Sequence, residues 1–315
     1  MALTLERGDN LTAVTEFFLL GFQSSKWLRH FLFCLLLVIY CVTICGNLLI
    51  ITLVSTSKIL HTPMYFFISQ LSINDILLST DIVPNLLHIL LNNGATITFI
   101  GCIIQLYFFC ASETFECLLL AVMSYDRYVA ICNPLRYSSI MTSQYYVILI
   151  TTCWLVGFSI ILMDIITISR LSYCGSNIIN HFFCDLVPLQ EISCSETFMV
   201  QIEIIFLSII SVIIPTIIII LSYANIVFTI LRISSSTGRQ KAFSTCSSHL
   251  TVVSIFYWSL FSVYVVPTNG EASTISKLLS LLYTVLTPLI NPIIYSLRNK
   301  DIWKAINKTM KNNIS

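Results

Sequence analysis

The chain has 315 residues, 57% of them hydrophobic and only 10% charged, and its formal net charge is +1. A soluble domain carries about 25% charged residues, so a chain this apolar cannot cover itself with polar surface and has lipid as its main solvent. The near-zero charge balance argues against a nucleic-acid partner.

In chain order, residues 1–29 read as a tail ahead of the first long apolar segment. The apolar run there, Phe17 to Phe22, is shorter than the roughly 7–15 residues of a signal-peptide core. The first span is therefore expected to act as an uncleaved signal anchor. Seven apolar segments follow, at about 30–54, 63–91, 100–124, 144–168, 199–231, 243–267 and 275–297. Each reaches the roughly 20 residues that cross a bilayer as a helix. None shows the short alternating pattern of barrel strands. The expected architecture is all-α: one seven-transmembrane helix bundle over 30–297, followed by a tail over 298–315. In that tail Ile302, Trp303 and Ile306 interleave with lysines, the pattern of a short amphipathic helix on the inner leaflet. No cysteine follows Cys246, so no palmitoyl site is expected to anchor it.

Lysine and arginine set the orientation. With the N-terminus extracellular, 11 of the 16 basic residues lie on the inner side; Arg7, Lys26, Arg29, Arg170 and Lys277 lie outside. The N-terminus is therefore expected outside. Asn10-Leu11-Thr12 then forms a glycosylation sequon on the outer tail. Four of the 12 cysteines, Cys102, Cys174, Cys184 and Cys194, fall at outer helix ends or in the outer loop between spans 4 and 5. The oxidising side permits disulfides there, with three possible connectivities. The other eight read as small packing residues, and no His/Cys spacing suggests zinc.

Several motifs recur in order. Gly46-Asn47 lies in span 1, and Leu60-His61-Thr62-Pro63-Met64-Tyr65-Phe66-Phe67 opens span 2, followed by Leu71-Ser72 and Asp75. Met123-Ser124-Tyr125-Asp126-Arg127-Tyr128-Val129-Ala130-Ile131-Cys132 closes span 3, and Ser222-Tyr223 lies late in span 5. Lys241-Ala242-Phe243-Ser244-Thr245-Cys246 opens span 6, and Asn291-Pro292-Ile293-Ile294-Tyr295 closes span 7. The set resembles the vertebrate olfactory (odorant) receptors, a branch of the rhodopsin-like G-protein-coupled receptors, over nearly the whole chain. Two departures stand out. Ser124 stands where the family usually has Ala, and Trp258 where a Gly is usual, so an indole is expected to narrow the pocket floor or shift span 6.

The resemblance implies a switch. Asp126 holds Arg127 at rest, with Tyr128 beside it. On activation Arg127 turns toward Tyr223 and opens a cleft for the C-terminus of a G-protein α-subunit. Pro292 and Tyr295, with Asn291, belong to the same machinery. Pro84, Pro215, Pro288 and Pro292 each remove a helical hydrogen bond and permit a kink. The resemblance also pairs Cys102 with Cys184, and Cys174 with Cys194.

Asp75, Asp81, Glu113, Glu116, Asp164 and Glu203 lie within or near the ends of spans. An ionisable group there costs about 2.5–3.5 kcal/mol on insertion scales, so each is a functional candidate. Asp75 and Glu116 are expected to face each other in mid-membrane, where both cannot be ionised without a cation or a proton. By resemblance they bind sodium, with Asn47 and Asn291 nearby; a protonated, hydrogen-bonded pair is the alternative. Glu113 sits in the stretch of span 3 that resembles the odorant-contacting wall. It could pair with an amine, bond to a neighbour when protonated, or join the cation site. The remaining pocket candidates are Phe109, Cys110, Thr114, Leu207, Ser208, Ser211, Tyr257, Phe261, Tyr264, Tyr283 and Thr284. As a group they fit a small apolar cavity with a few polar anchors.

The expected function is an odorant receptor that binds a small volatile molecule and activates a stimulatory, olfactory-type G protein to raise cyclic AMP. A non-olfactory chemosensory receptor of the same fold is the alternative. No nucleophile–base pair or phosphate loop suggests an enzyme. The inverted repeats of a transporter and the filter of a channel are not visible either.

Overall fold

The structure, a computed structural model, describes residues 14–173, 177–265, 272–297 and 301–307. Asn10, Cys174 and the side chain of Tyr264 lie outside the described residues. Span 1 is Lys26–Thr56, span 2 Pro63–Asn92, span 3 Phe99–Cys132, span 4 Ser143–Ser169, span 5 Phe198–Arg232 and span 6 Ser236–Val265. Span 7 is built from Ala272–Leu281, a π-turn Leu282–Leu286 and Thr287–Leu297. Residues 301–307 are helical, with Ile302 and Ala305 buried against the bundle and Trp303 exposed.

Helix ends follow capping chemistry rather than the limits of the apolar runs. Ser25 accepts a hydrogen bond from Leu28 N at 3.4 Å, Thr98 from Gly101 N at 3.1 Å, and Thr142 from Tyr145 N at 3.4 Å. Each satisfies a donor that the first helical turn leaves free. Among the described residues six helices are long and apolar enough to cross a membrane.

Span 3 is the axis of the bundle. In its most apolar stretch 72% of residues are buried, against 22% in spans 1 and 4 and 17% in span 5. Those outer helices turn Leu, Ile and Val outward, as a lipid solvent allows. Cys34, Cys41 and Cys45 are likewise exposed on span 1, so they do not pack inside as expected. Trp154 stacks on Phe115 at 3.7 Å and donates to Gln70 Oε1 at 3.2 Å, tying span 4 to spans 2 and 3.

π-turns precede two of the prolines. Ile214 N donates to Ile209 O just before Pro215, and Thr287 N to Leu282 O just before Pro288. A proline cannot continue the i to i−4 ladder, and a wider turn absorbs the mismatch.

One end of the bundle carries a three-stranded sheet that the all-α expectation did not include. β1 (Glu16–Leu19) pairs antiparallel with β2 (Ala95–Thr98), and parallel with β3 (Ile178–Ile179). Phe17 and Leu19 point inward on alternate residues and are fully buried. Asn93 (φ 58°) and Gly94 (φ 122°) turn the chain from span 2 into β2; both adopt the left-handed region that suits these two residues.

Two apolar clusters fill the interior, one toward the sheet end and one toward the Arg127 end. A layer of buried polar side chains lies between them.

Candidate functional site

The polar layer comes first. Asp75, Glu116, Asn47, Asn74 and Asn291 are all buried. Asn291 Nδ2 donates to both carboxylate oxygens of Asp75, at 3.1 and 3.2 Å. Asn74 Nδ2 donates to Glu116 Oε2 at 3.4 Å. Asn47 donates instead to Thr43 O at 3.0 Å and Pro288 O at 3.1 Å, so it ties span 1 to span 7 and bonds to neither acid. Sequence reasoning missed Asn74; its place next to Asp75 was the available signal. Asn47 Oδ1, Asn74 Oδ1 and Glu116 Oε1 are buried without a hydrogen-bond partner. Such oxygen atoms suit a hard cation.

Toward the sheet end, Phe109 of span 3 is packed between Phe183 (4.8 Å) and Tyr283 (5.7 Å). Phe183 reaches this position because Cys184 next to it is bridged to Cys102. Gln105 reinforces the tie by accepting from Cys184 N at 3.0 Å and donating to Asp81 O at 3.1 Å. Cys194 is disulfide-bonded as well. His181 lies in the same loop, 3.4 Å from Ser280 Oγ. The loop residues His181, Phe182, Phe183 and Asp185 were not among the sequence candidates. Their signal was adjacency to Cys184.

Glu113 is buried and its Oε1 has no partner. Its acidic neighbours are Asp185 and Glu116. Cys110, one turn away, lies among Glu113, Asp185, Asp164 and Asp81. Acids from three spans and the loop therefore converge on one region. In the loop, burial pushes the Asp185 carboxyl up to about 6, although its Oδ1 accepts from Leu186 N at 2.7 Å. Burial and the Lys277 charge push His181 down to about 3.

The other pocket candidates divide. Thr114 and Ser211 are buried, and Cys110, Leu207, Ser208 and Tyr257 half-buried. Ser208 Oγ donates to Ile204 O at 2.7 Å, Ser211 Oγ to Leu207 O at 3.0 Å, and Thr284 Oγ1 to Ser280 O at 2.7 Å. Their protons serve their own helices, which leaves lone pairs for other donors. Tyr257 Oη is buried beside Thr216 and Cys117. Phe261 is 63% exposed and Trp258 73%. They continue an outward stripe with Leu250 and Ser254, set by helical spacing. Phe261 is thus not a pocket residue, and Trp258 does not narrow the pocket floor.

At the far end, Arg127 Nε donates to Asp126 Oδ2 at 2.9 Å, and Nη2 closes the pair. Tyr137 Oη donates to the other oxygen, Asp126 Oδ1, at 2.8 Å. Burial and the Asp126 charge raise the Tyr137 phenol. Tyr223 bonds to His249 Nδ1 at 2.5 Å, not to Arg127. His249, on span 6, is buried and was quoted in no role by sequence reasoning. Tyr295 is buried with its hydroxyl unpartnered, near Tyr223, Arg127, Asp75 and Glu116. Tyr128 is half-buried beside Tyr125 and takes no part in the Asp126–Arg127 pair. Ser124, the departure from Ala, satisfies its hydroxyl on Ala121 O at 2.8 Å. Pro292 sits inside span 7.

Comparisons with known proteins agree. A model described as "Olfactory receptor" matches residues 33–313. Olfactory receptor 11L1 from Homo sapiens is 47% identical over 303 residues, covering 96% of this chain and 94% of that protein. Olfactory receptor 6B9 from Mus musculus is 44% identical, covering 96% of each. Olfactory receptor 8D4 from Homo sapiens is 45% identical, covering 97% of this chain and 98% of that protein. Among solved structures, squid rhodopsin aligns with a TM-score of 0.74 at 19% identity, over 93% of this chain and 88% of its own. That likeness gives the fold, a rhodopsin-type bundle of seven helices. The sequence matches give the family: the chain belongs to the olfactory receptors, as an odorant-sensing G-protein-coupled receptor of the plasma membrane and not an enzyme.

Proposed function

We propose that a small volatile odorant binds beside Phe109, Phe183, Tyr283 and Glu113, and that binding opens the Arg127 end to a stimulatory, olfactory-type G protein, raising cyclic AMP. In this reading the sheet end faces outside and the Arg127 end faces the cytosol. The observation that carries it is the pairing at the Arg127 end. Arg127 is held by Asp126 while Tyr223 is held by His249. Two buried bonds thus keep apart two side chains that can bond to each other, which defines a closed arrangement and an alternative. A ligand shifts such a pair of states only by its differential affinity for them.

The acids around Cys110 refine the ligand class. A buried Glu113 with an unpartnered oxygen, beside Asp185, favours a cationic group, so amines are the preferred class. A sodium ion in the polar layer would be held by Asp75 and Glu116, with Asn74 and Asn47 offering carbonyl oxygens and Asn291 orienting Asp75. The residues fit a cation because three of their oxygens are buried and unpartnered.

The test is cyclic AMP in cells expressing this receptor with an olfactory-type α-subunit, over a panel of acids, aldehydes, ketones, thiols and amines. Amines are expected to respond best. Glu113→Gln should lower their potency by at least about tenfold, the value of a lost charged hydrogen bond, and leave other responses in place. Equal potency in the variant overturns the amine assignment. Silence to the whole panel despite surface expression overturns the proposed coupling.

A further inference from the structure

A cavity lies between spans 1 and 7 at the sheet end, away from the Glu113 region. It measures about 640 Å³, within the roughly 300–1,000 Å³ range of small-molecule sites. Spans 1 and 7 are pinned together lower down, where Asn47 donates to Pro288 O, and part above that level. The walls are graded. The deep part is leucine and isoleucine: Leu32, Leu36, Ile39 and Leu281. The polar part is gathered at the top, around Ser24, Asn180 and Lys277. Leu28, Leu35 and Leu278 on the rim are exposed on the lipid side.

Lys277 makes the cavity unusual. It is 5% exposed. Its ammonium donates to Gly21 O at 2.8 Å and Asn180 Oδ1 at 2.7 Å. Both acceptors are neutral, an ammonium has three donors, and among the described residues no carboxylate pairs with it. Gly21 holds its carbonyl there at φ +61°, where a side chain would collide with Ile89. Ser24 Oγ, in the same wall, is buried without a partner. A fixed positive charge, a spare hydroxyl and an apolar shaft open toward lipid together describe an amphiphile's binding site.

We infer that this cavity binds a single-chain carboxylate amphiphile, of the long-chain fatty-acid class, with its head on Lys277 and Ser24 and its tail along spans 1 and 7. The head satisfies the third donor and the charge of Lys277. The shaft from Leu28 to Ile39 is about 16 Å long at 1.5 Å per residue, enough for most of one extended acyl chain, and the cavity of about 640 Å³ is too small for a whole two-chain lipid. The site shares no residue with the Glu113 region, so it stands or falls separately from the odorant pocket.

The experiment uses the full receptor in nanodiscs of zwitterionic phosphatidylcholine. A photoreactive diazirine palmitate and the matched palmityl alcohol are the probes, with labelled peptides mapped by mass spectrometry. The acid is expected to label spans 1 and 7 around Leu36 and Leu281, about tenfold more than the alcohol, as a charged hydrogen bond implies. Excess oleate should compete, and hexanoate should not, because the tail supplies much of the binding. Lys277→Gln should lower labelling about tenfold, while Leu36→Trp, which keeps Lys277 but fills the shaft, should abolish it. Equal labelling by the alcohol, competition by hexanoate as strong as by oleate, or labelling unchanged in Leu36→Trp would overturn the inference. The alcohol comparison and Leu36→Trp keep it testable even where Lys277→Gln fails to fold.

Discussion

Tyr223 and His249 are joined by a 2.5 Å hydrogen bond from span 5 to span 6, while the nearby Arg127 guanidinium is turned onto Asp126. Under the proposed switch, His249 is a latch on Tyr223, the residue to which Arg127 would turn. His249→Phe should release Tyr223. A hydrogen bond is worth a net of about 0.5–1.5 kcal/mol, so basal cyclic AMP should rise about 2–10-fold. Tyr223→Phe breaks the same bond but removes the hydroxyl too. Its basal signal should not rise, and its agonist maximum should fall. Identical behaviour of the two variants would remove the latch.

The acid pair gives an ionic prediction. The bonded arrangement of Asp75, Asn74, Glu116 and Asn291 coexists with the closed Arg127–Asp126 pair. A sodium ion bound there should therefore favour the closed state. Replacing sodium by choline at constant ionic strength should move agonist dose–response curves to lower concentration. Asp75→Asn or Glu116→Gln should abolish that shift. An equal shift in both variants would place sodium's action elsewhere.

Aromatic residues on span 6 should divide by direction. Trp258 and Phe261 face lipid, and exposed substitutions usually change free energies by less than about 0.5 kcal/mol. Trp258→Leu and Phe261→Leu should leave agonist potency within about twofold. Phe183→Leu, which disturbs the ring packed on Phe109, should lower potency by more than that in the same assay.

The loop over the pocket predicts a pH effect with a definite sign. His181 is lowered from 6.5 to about 3, so the unfolded chain binds more protons between those values. Its contribution to stability is therefore lost as pH falls through that window. Asp185 is raised from 3.8 to about 6, so there the folded state binds more protons, and its contribution is lost as pH rises. The two oppose each other between about pH 4 and 6. His181→Gln removes only the first. Relative to wild type, the melting temperature of the purified variant should gain as pH falls from about 6.5 to 4.5. Parallel curves for the two proteins would show that His181 titrates alike folded and unfolded.

Much of the architecture was legible because lipid imposes long apolar runs, and the described part of each of the seven expected segments is helical. Two pairs of expected neighbours meet in the structure. Asn291 reaches Asp75, and Cys102 meets Cys184. What escaped was set by direction and by distant pairing. Periodicity in span 6 is weak because serines and apolar residues are interspersed on every side, so Phe261 and Trp258 could not be assigned a face from the sequence pattern. β1 pairs with β2 and β3 from loops far apart in sequence, and four-residue strands leave little pattern. Asn74 and His249 sit close to quoted motifs in the chain, yet their roles depend on which neighbour a helix brings opposite them.

The central claim is that Arg127, once released from Asp126, drives nucleotide exchange on a G protein. The direct measurement is agonist-stimulated GTPγS binding by a purified olfactory-type heterotrimer. The receptor would be in nanodiscs, as wild type and as Arg127→Ala with matched folding and ligand binding. Stimulated exchange by the wild type and none by the variant is the predicted result. Equal stimulation by the variant, or no exchange from a wild-type receptor that binds its agonist, would contradict it.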